Sequence, residues 1–272
     1  MQIGPKIGVF DSGVGGLTVL RALLELMPGA DYLYFGDTAR LPYGSKSAET
    51  VARYAVGATE YLQQQGAEFL VIGCNTATAL ALDKITEAAR VPVVGVVEPG
   101  AECAAANSQQ KKVVVIGTEA TVSSHAYKKA LEARGVSAKE KACPLFVPLV
   151  EEGWVDHSVT EQVARIYLND AFKDDFESAD VLVLGCTHYP LLKPLLDRVK
   201  PGQVKIVDSA ESTAQVVAEK IGQSNLVPNG GNPGRQPRLK FFATDSVEKF
   251  RRLGQQFLER QIETVEQVYL KE

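Results

Sequence analysis

The sequence predicts an α/β fold of two pseudo-symmetric α/β domains with mostly parallel sheets and an active site in the interdomain cleft. Short β-branched or aromatic runs alternate with amphipathic segments, the pattern of parallel strands joined by helices. Several strands end in turns rich in Gly and hydroxyl or thiol side chains, and one such phrase is present twice, as FLVIGCNTATAL and VLVLGCTHYPLL.

Taken in order, the expected strands are Ile7 to Phe10, Tyr32 to Phe35, Phe69 to Ile72, Val93 to Val97, Val113 to Ile116, Val181 to Leu184 and Val204 to Val207. Their unbroken apolar character suits strands buried on both faces. Between the second and third lies SAETVARYAVGATEYLQQQ, where Val51, Tyr54, Ala55, Ala58, Tyr61 and Leu62 share one helical face behind a Ser47 cap. The phrases IGVFDSG and VVVIGTEAT open the two halves in the same way, and Cys74 and Cys186 lie at matching places, 112 positions apart (186 − 74). Two equivalent domains explain the repeat, with the cysteines facing each other across a cleft. The segment SNLVPNGGNPGRQPR, residues 224–238, is too rich in Pro, Gly and Asn for a regular element and reads as a surface loop of open role. LKFFATD then reads as a strand, and residues 245–268 as a helix that folds back onto the first domain. The division expected is 1–98 plus 209–272 for the first domain and 99–208 for the second.

A chain of 272 residues with 45% apolar and 23% charged side chains has the makeup of a globular enzyme. Its net charge of -4, with Lys and Arg scattered, offers no basic stripe, so nucleic acid is not an expected partner. No stretch approaches the ~20 apolar residues of a membrane span, and the N-terminal apolar run is too brief for a signal peptide, so the expected location is cytoplasmic. In that compartment the four cysteines stay reduced and are assigned singly. Cys103, in an Ala-rich helical stretch, and Cys143, before Pro144, have no polar neighbours of the kind that follow Cys74 and Cys186 and read as packing.

Ligands of open α/β sheets gather at the carboxyl ends of strands, where N–H groups of the next helix converge. Four motifs fall there: Asp11-Ser12-Gly13, Cys74-Asn75-Thr76, Thr118 to Thr121, and Cys186-Thr187-His188. A thiol at a helix N-terminus is expected to be lowered from about 8.5 toward neutrality. Two like groups on opposite faces of a carbon are what inversion by proton transfer needs, one as base and one as conjugate acid. Asp11, His188 and a carboxylate of LFVPLVEEG are the neighbours available to tune them, with Glu151 and Glu152 not separated by the residues alone. The plain alternatives are a helix N-cap for Asp11 and a hydrogen-bonded core residue for His188. GVGGLT does not match G-x-G-x-x-G and fits a structural turn or a carboxylate cradle better than a nucleotide site. Zinc on Cys74, Cys186, His188 and Asp11 lacks the usual ligand spacing, so no metal is expected. Trp154 reads as cover for the cleft near Glu151.

In IGVFDSGVGGLTV, YFGDTARLPYG, GCNTATA, GTEATV, LFVPLVEEG and GCTHYPLL, in that order over most of the chain, the sequence closely resembles the bacterial glutamate racemases of the aspartate/glutamate racemase superfamily. The resemblance implies interconversion of L- and D-glutamate without pyridoxal phosphate or any other cofactor, supplying D-glutamate for peptidoglycan. It places the catalytic thiols on Cys74 and Cys186 and the assisting groups on Asp11, Glu151 and His188. Substrate contacts implied are Asp11, Ser12, Asn75, Thr76, Thr118, Thr121, Thr187 and His188, with the side-chain carboxylate held by backbone around Pro42, Tyr43 and Gly44. It also implies association into a homodimer. The rival readings are a racemase for aspartate or another acidic amino acid, and a non-catalytic binding protein for such ligands, which needs no thiol pair.

Overall fold

The structure is a computed structural model that describes residues 4–224 and 236–270; most of the expected Pro/Gly/Asn loop, 225–235, lies outside the described residues. The first half alternates β1 (Lys6–Asp11), α1 (Leu17–Leu26), β2 (Asp31–Gly36), α2 (Ala48–Gln64), β3 (Phe69–Ile72), α3 (Asn75–Ala88) and β4 (Val93–Gly95). α4 (Val97–Asn107) leads into β5 (Lys112–Gly117), α5 (Glu119–Ser124), α6 (Ala126–Glu132), β6 (Ser137–Ala142), α7 (Phe146–Glu151) and α8 (Ser158–Ala171). There follow β7 (Val181–Gly185), α9 (Lys193–Val199), β8 (Lys205–Asp208), α10 (Ser209–Gln223), β9 (Leu239–Ala243), α11 (Val247–Leu258) and β10 (Glu266–Gln267).

Two sheets result, one ordered β10-β9-β2-β1-β3-β4 and the other β6-β5-β7-β8. All their pairings are parallel. The run β2-β1-β3-β4 has the same order as β6-β5-β7-β8, so β1 corresponds to β5 and β3 to β7. The repeat legible in the sequence is therefore a repeat of topology, with Cys74 and Cys186 just past the ends of corresponding strands. β3 and β7 are buried at every residue, which accounts for their unbroken apolar runs. Helix α2 starts as its sequence indicates: Ser47 accepts from the Thr50 N–H, and Val51, Ala55, Ala58 and Leu62 are buried while Tyr54 and Tyr61 are partly so.

Three elements depart from expectation. β6, with the sequence SAKEKA, buries only Ala138, so this sheet-edge strand carries no apolar signal. The fourth strand stops at Gly95, and Val97 opens α4, buried in one cluster with Ala101, Ala104 and Tyr127. Tertiary packing there overrides the β preference of a Val-rich run. The C-terminal helix ends at Leu258 rather than continuing to 268, since Glu259 takes a left-handed conformation with φ of 55°. The chain beyond it adds β10 beside β9, and β9 pairs with β2. No described helix is long and apolar enough to cross a membrane.

Candidate active site

A cavity of about 470 Å³ lies where the strand ends of the two sheets meet, and both Cys74 and Cys186 line it. Gly73 separates Cys74 from β3, and the thiol is the N-cap of α3, with Sγ accepting from the Ala77 N–H at 3.4 Å. It also lies 3.5 Å from Ser12 Oγ. Cys186 directly follows β7, but the chain there turns through a 3-10 segment, Tyr189–Leu192, before α9. The two thiols are thus alike in place and unlike in local geometry.

Both are almost wholly buried, Cys74 at 5% and Cys186 at 6% exposure. Burial pushes the Cys74 thiol up to about 12 and the negative charge of Asp11 adds to it, against the N–H of Ala77 and the contacts of Ser12. Burial likewise raises Cys186, with Cys74 and Asp11 adding and only the His188 N–H opposing. This corrects the expectation of a lowered thiol: one capped N–H does not offset removal of a thiolate from water. Burial thus disfavours the thiolate at both positions.

Asp11 is not the N-cap of α1, a place taken by Gly16 without a side-chain cap. It ends β1 behind the cavity wall, with Oδ2 accepting from the Gly13 N–H at 2.8 Å and Oδ1 buried without a partner among the described residues. Burial raises its carboxyl, opposed chiefly by the charge of His188. Gly16 lies so close that a Cβ there would come within 2.5 Å of the Asp11 Cβ, and one on Gly15 would come within 2.6 Å of His188 Nδ1. The GVGG turn is therefore the seam at which the Asp11 and His188 turns meet, a structural use for its glycines.

His188 is 7% exposed, with Nε2 at 3.3 Å from Glu151 Oε1 and its ring edge-to-face with Phe257 at 5.1 Å. Glu151 Oε2 accepts from Lys249 Nζ at 2.9 Å. Glu151 ends α7 and lines the cavity, whereas Glu152 points to solvent, which separates the adjacent pair. The His188 hydrogen bond, and after it Lys249, hold the Glu151 carboxyl down to about 2 in spite of burial.

Opposite these groups, the hydroxyls of Thr76, Thr118 and Thr121 form a triangle with sides of 2.9, 3.0 and 3.3 Å. Thr118 is also the N-cap of α5. Ser12, Asn75, Thr76, Thr118, Thr187 and His188 line the cavity, as do Pro42, Tyr43 and Gly44, while Asp11 and Thr121 stand behind the wall. The Tyr43 hydroxyl is anchored outward on Asp37 Oδ2 at 2.6 Å. Among the described residues no His, Cys, Asp and Glu side chains cluster as a metal site.

Sequence reading missed several lining residues. Val147 and Pro148 lie one helical turn before Glu151, and Glu119 sits inside the Thr118 to Thr121 motif, so spacing alone could have found them. Lys249 carried no signal, since only the return of the C-terminal segment brings α11 to the cavity. Trp154 does not cover the cleft: it is half-exposed and stacks on His157 at 4.8 Å. Cys103 lies in α4 with Asn107 Nδ2 at 3.5 Å from its sulfur, Cys143 is fully buried in the core, and neither lines the cavity.

Residues 7–217 match the Asp/Glu/hydantoin racemase family. The chain belongs to that family. Within it the chain is similar to the glutamate racemase of Koribacter versatilis, at 60% identity with 98% of each chain covered. Among solved structures it is similar to the glutamate racemase of Francisella tularensis in complex with D-glutamate, at 34% identity, 99% coverage of each chain and a TM-score of 0.90. The glutamate racemase of Thermus thermophilus in complex with β-chloro-D-alanine matches at 46% identity, 99% coverage of each and a TM-score of 0.87. The two-sheet α/β fold and the racemase class of the chain agree with these relatives.

The Lys249–Glu151–His188 chain gives this racemase a measurable pH signature. Glu151 is held at about 2 against an ordinary 4.5, so its contribution to stability is complete above about pH 4.5 and is lost as pH falls toward 2. In Lys249→Met the ammonium on Oε2 is gone, the carboxyl titrates at higher pH, and acid unfolding followed by circular dichroism is expected to begin at higher pH than in the wild type. An unchanged midpoint would show that this half-exposed ammonium is screened by solvent.

Proposed function

We propose that this chain is a cofactor-independent glutamate racemase, which moves the α-proton between two thiols and so supplies D-glutamate for peptidoglycan. The observation that carries this reading is a single cavity lined by two thiols at corresponding strand ends of two sheets of like order. The D-glutamate bound to the Francisella relative supports the choice of substrate.

One thiolate takes the proton from Cα on one face, and the electron pair left behind is delocalised into the α-carboxylate. The opposite thiol then delivers its proton to the other face, giving the enantiomer, a thiolate on the second side and a thiol on the first. Because burial disfavours both thiolates, each needs a local acceptor to become a base. Asp11 serves Cys74 and His188 serves Cys186, with Glu151 stabilising the imidazolium. The substrate ammonium brings the positive charge that offsets a thiolate beside Asp11. Its carboxylates are received by hydroxyls and N–H groups: Ser12, Asn75, Thr76, Thr118 and Thr187 around the reacting carbon, with Thr121 holding the Thr76 and Thr118 hydroxyls from behind, and the Pro42, Tyr43 and Gly44 backbone for the side-chain end. Each sheet with its helices acts as one domain, 1–98 plus 209–272 and 99–208, so that closure of the cleft excludes water. Peptidoglycan precursor supply places the protein in the cytoplasm, and pairing into a homodimer is checked by sedimentation.

The deciding experiment incubates the protein with L-glutamate in deuterated water without added cofactor. Loss of optical activity together with deuterium at Cα is the expected result. Racemisation of aspartate but not glutamate refutes the substrate, and absence of exchange with either refutes catalysis.

A further inference from the structure

Asn75 follows Cys74 directly, opens α3 and lines the cavity, yet its side chain is only half satisfied. Its Oδ1 accepts from the Tyr127 hydroxyl at 2.7 Å, while Nδ2 is buried without a partner among the described residues. Tyr127 itself is absent from the cavity wall. It belongs to α6, in the other half of the molecule, and is fully buried. Its ring lies against the residue before the second thiol: a Cβ on Gly185 would come within 3.2 Å of its Cε2, and one on Gly100 within 3.1 Å of its hydroxyl oxygen. One phenol thus touches the turn of Cys186 with its edge and the turn of Cys74 with its hydroxyl.

A primary amide has two orientations of similar shape and opposite chemistry, one offering two N–H donors and the other a carbonyl oxygen. Toward an anionic substrate only the first is favourable. A hydroxyl that donates to Oδ1 selects it, and burial raises the Tyr127 phenol so that it remains a donor at any pH the enzyme meets. We infer that Tyr127 is a positioning residue of the reaction: it holds the Asn75 amide in the orientation that accepts on Oδ1 and leaves the N–H groups for the substrate carboxylate beside Cys74. This rests on an acidic amino acid being the substrate, and it gives the two thiol turns a shared ruler, since a shift of either displaces the same ring.

The test is a double-mutant cycle on the full chain with Tyr127→Phe, Asn75→Ala and the pair, reading KM, kcat and the Kd of D-glutamate by calorimetry. Tyr127→Phe keeps the ring and removes one charge-directing hydrogen bond, so KM and Kd are expected to rise about tenfold, with kcat changing far less. Asn75→Ala is expected to match it, and the pair to add nothing further. Asn75→Asp is the second probe: its carboxylate still accepts from Tyr127 but presents an anion to the cavity, so it is expected to melt near the wild type and lose D-glutamate binding. Additive effects in the cycle, an unchanged KM in Tyr127→Phe or undiminished binding by Asn75→Asp each overturn the role of Tyr127. A wild type that neither binds nor racemises glutamate overturns the substrate reading and the role together, which sets that failure apart from the other three.

Discussion

Cys74→Ala and Cys186→Ala are each expected to lose net racemisation by about 10³-fold or more, since removing a positioned acid or base costs roughly 10²–10⁴-fold and inversion needs one on each face. The informative part is what survives. A variant with one thiol retains a base on one face only, so it is expected to wash solvent deuterium into the α-position of one enantiomer without inverting it. The other variant is expected to do the same for the opposite enantiomer. Proton NMR of each enantiomer in deuterated water reads this directly, and equal exchange of both by either variant overturns the two-base assignment. Cys103→Ala and Cys143→Ala are the controls, expected to keep turnover because neither lines the cavity. Cys143, fully buried, is expected to lose stability on the order of 1 kcal/mol on truncation.

His188→Asn is expected to lower kcat by about 10²-fold or more with the fold preserved, since it removes the group that can take the Cys186 proton. His188 is almost wholly buried against Phe257, so the reading as a mere core histidine has a real basis. What argues against it is the partner on Nε2: Glu151 lines the cavity and is itself paired with Lys249, so the ring is held by a polar chain that reaches the cavity rather than by the core. The expected loss is uneven between directions, because His188 serves Cys186 while Asp11 stands behind Cys74. Thermal melting beside the initial rates for each enantiomer separates the two accounts. An unfolded Asn variant, or equal loss in both directions with a lowered melting temperature, would favour a structural role.

Much of the site was legible because its chemistry is written in contiguous motifs. DSG, CNT, the Thr118 to Thr121 stretch and CTH each sit at the end of a buried parallel strand, and a strand buried on both faces announces itself as an unbroken apolar run. β6 escaped since at a sheet edge it buries only Ala138 and needs no apolar run, and the end of α11 escaped because a left-handed Glu259 leaves no signature in composition. Glu151 and Glu152 are indistinguishable as neighbours in sequence, but as neighbours on a helix end they point about 100° apart, one into the cavity and one into solvent.

By itself the sequence determined the parallel α/β class, the pairing of two thiols at equivalent turns and the set of polar residues around them, since these follow from periodicity and residue chemistry within short windows. Only the tertiary structure decided that the thiolates of both are disfavoured, because burial depends on what the rest of the chain places over them. It also brought Lys249 onto Glu151 and Tyr127 onto Asn75, contacts between residues 98 and 52 positions apart that no local pattern records. Cys74 and Cys186 are found by reading along the chain, and the environment that disfavours their thiolates is found only across it.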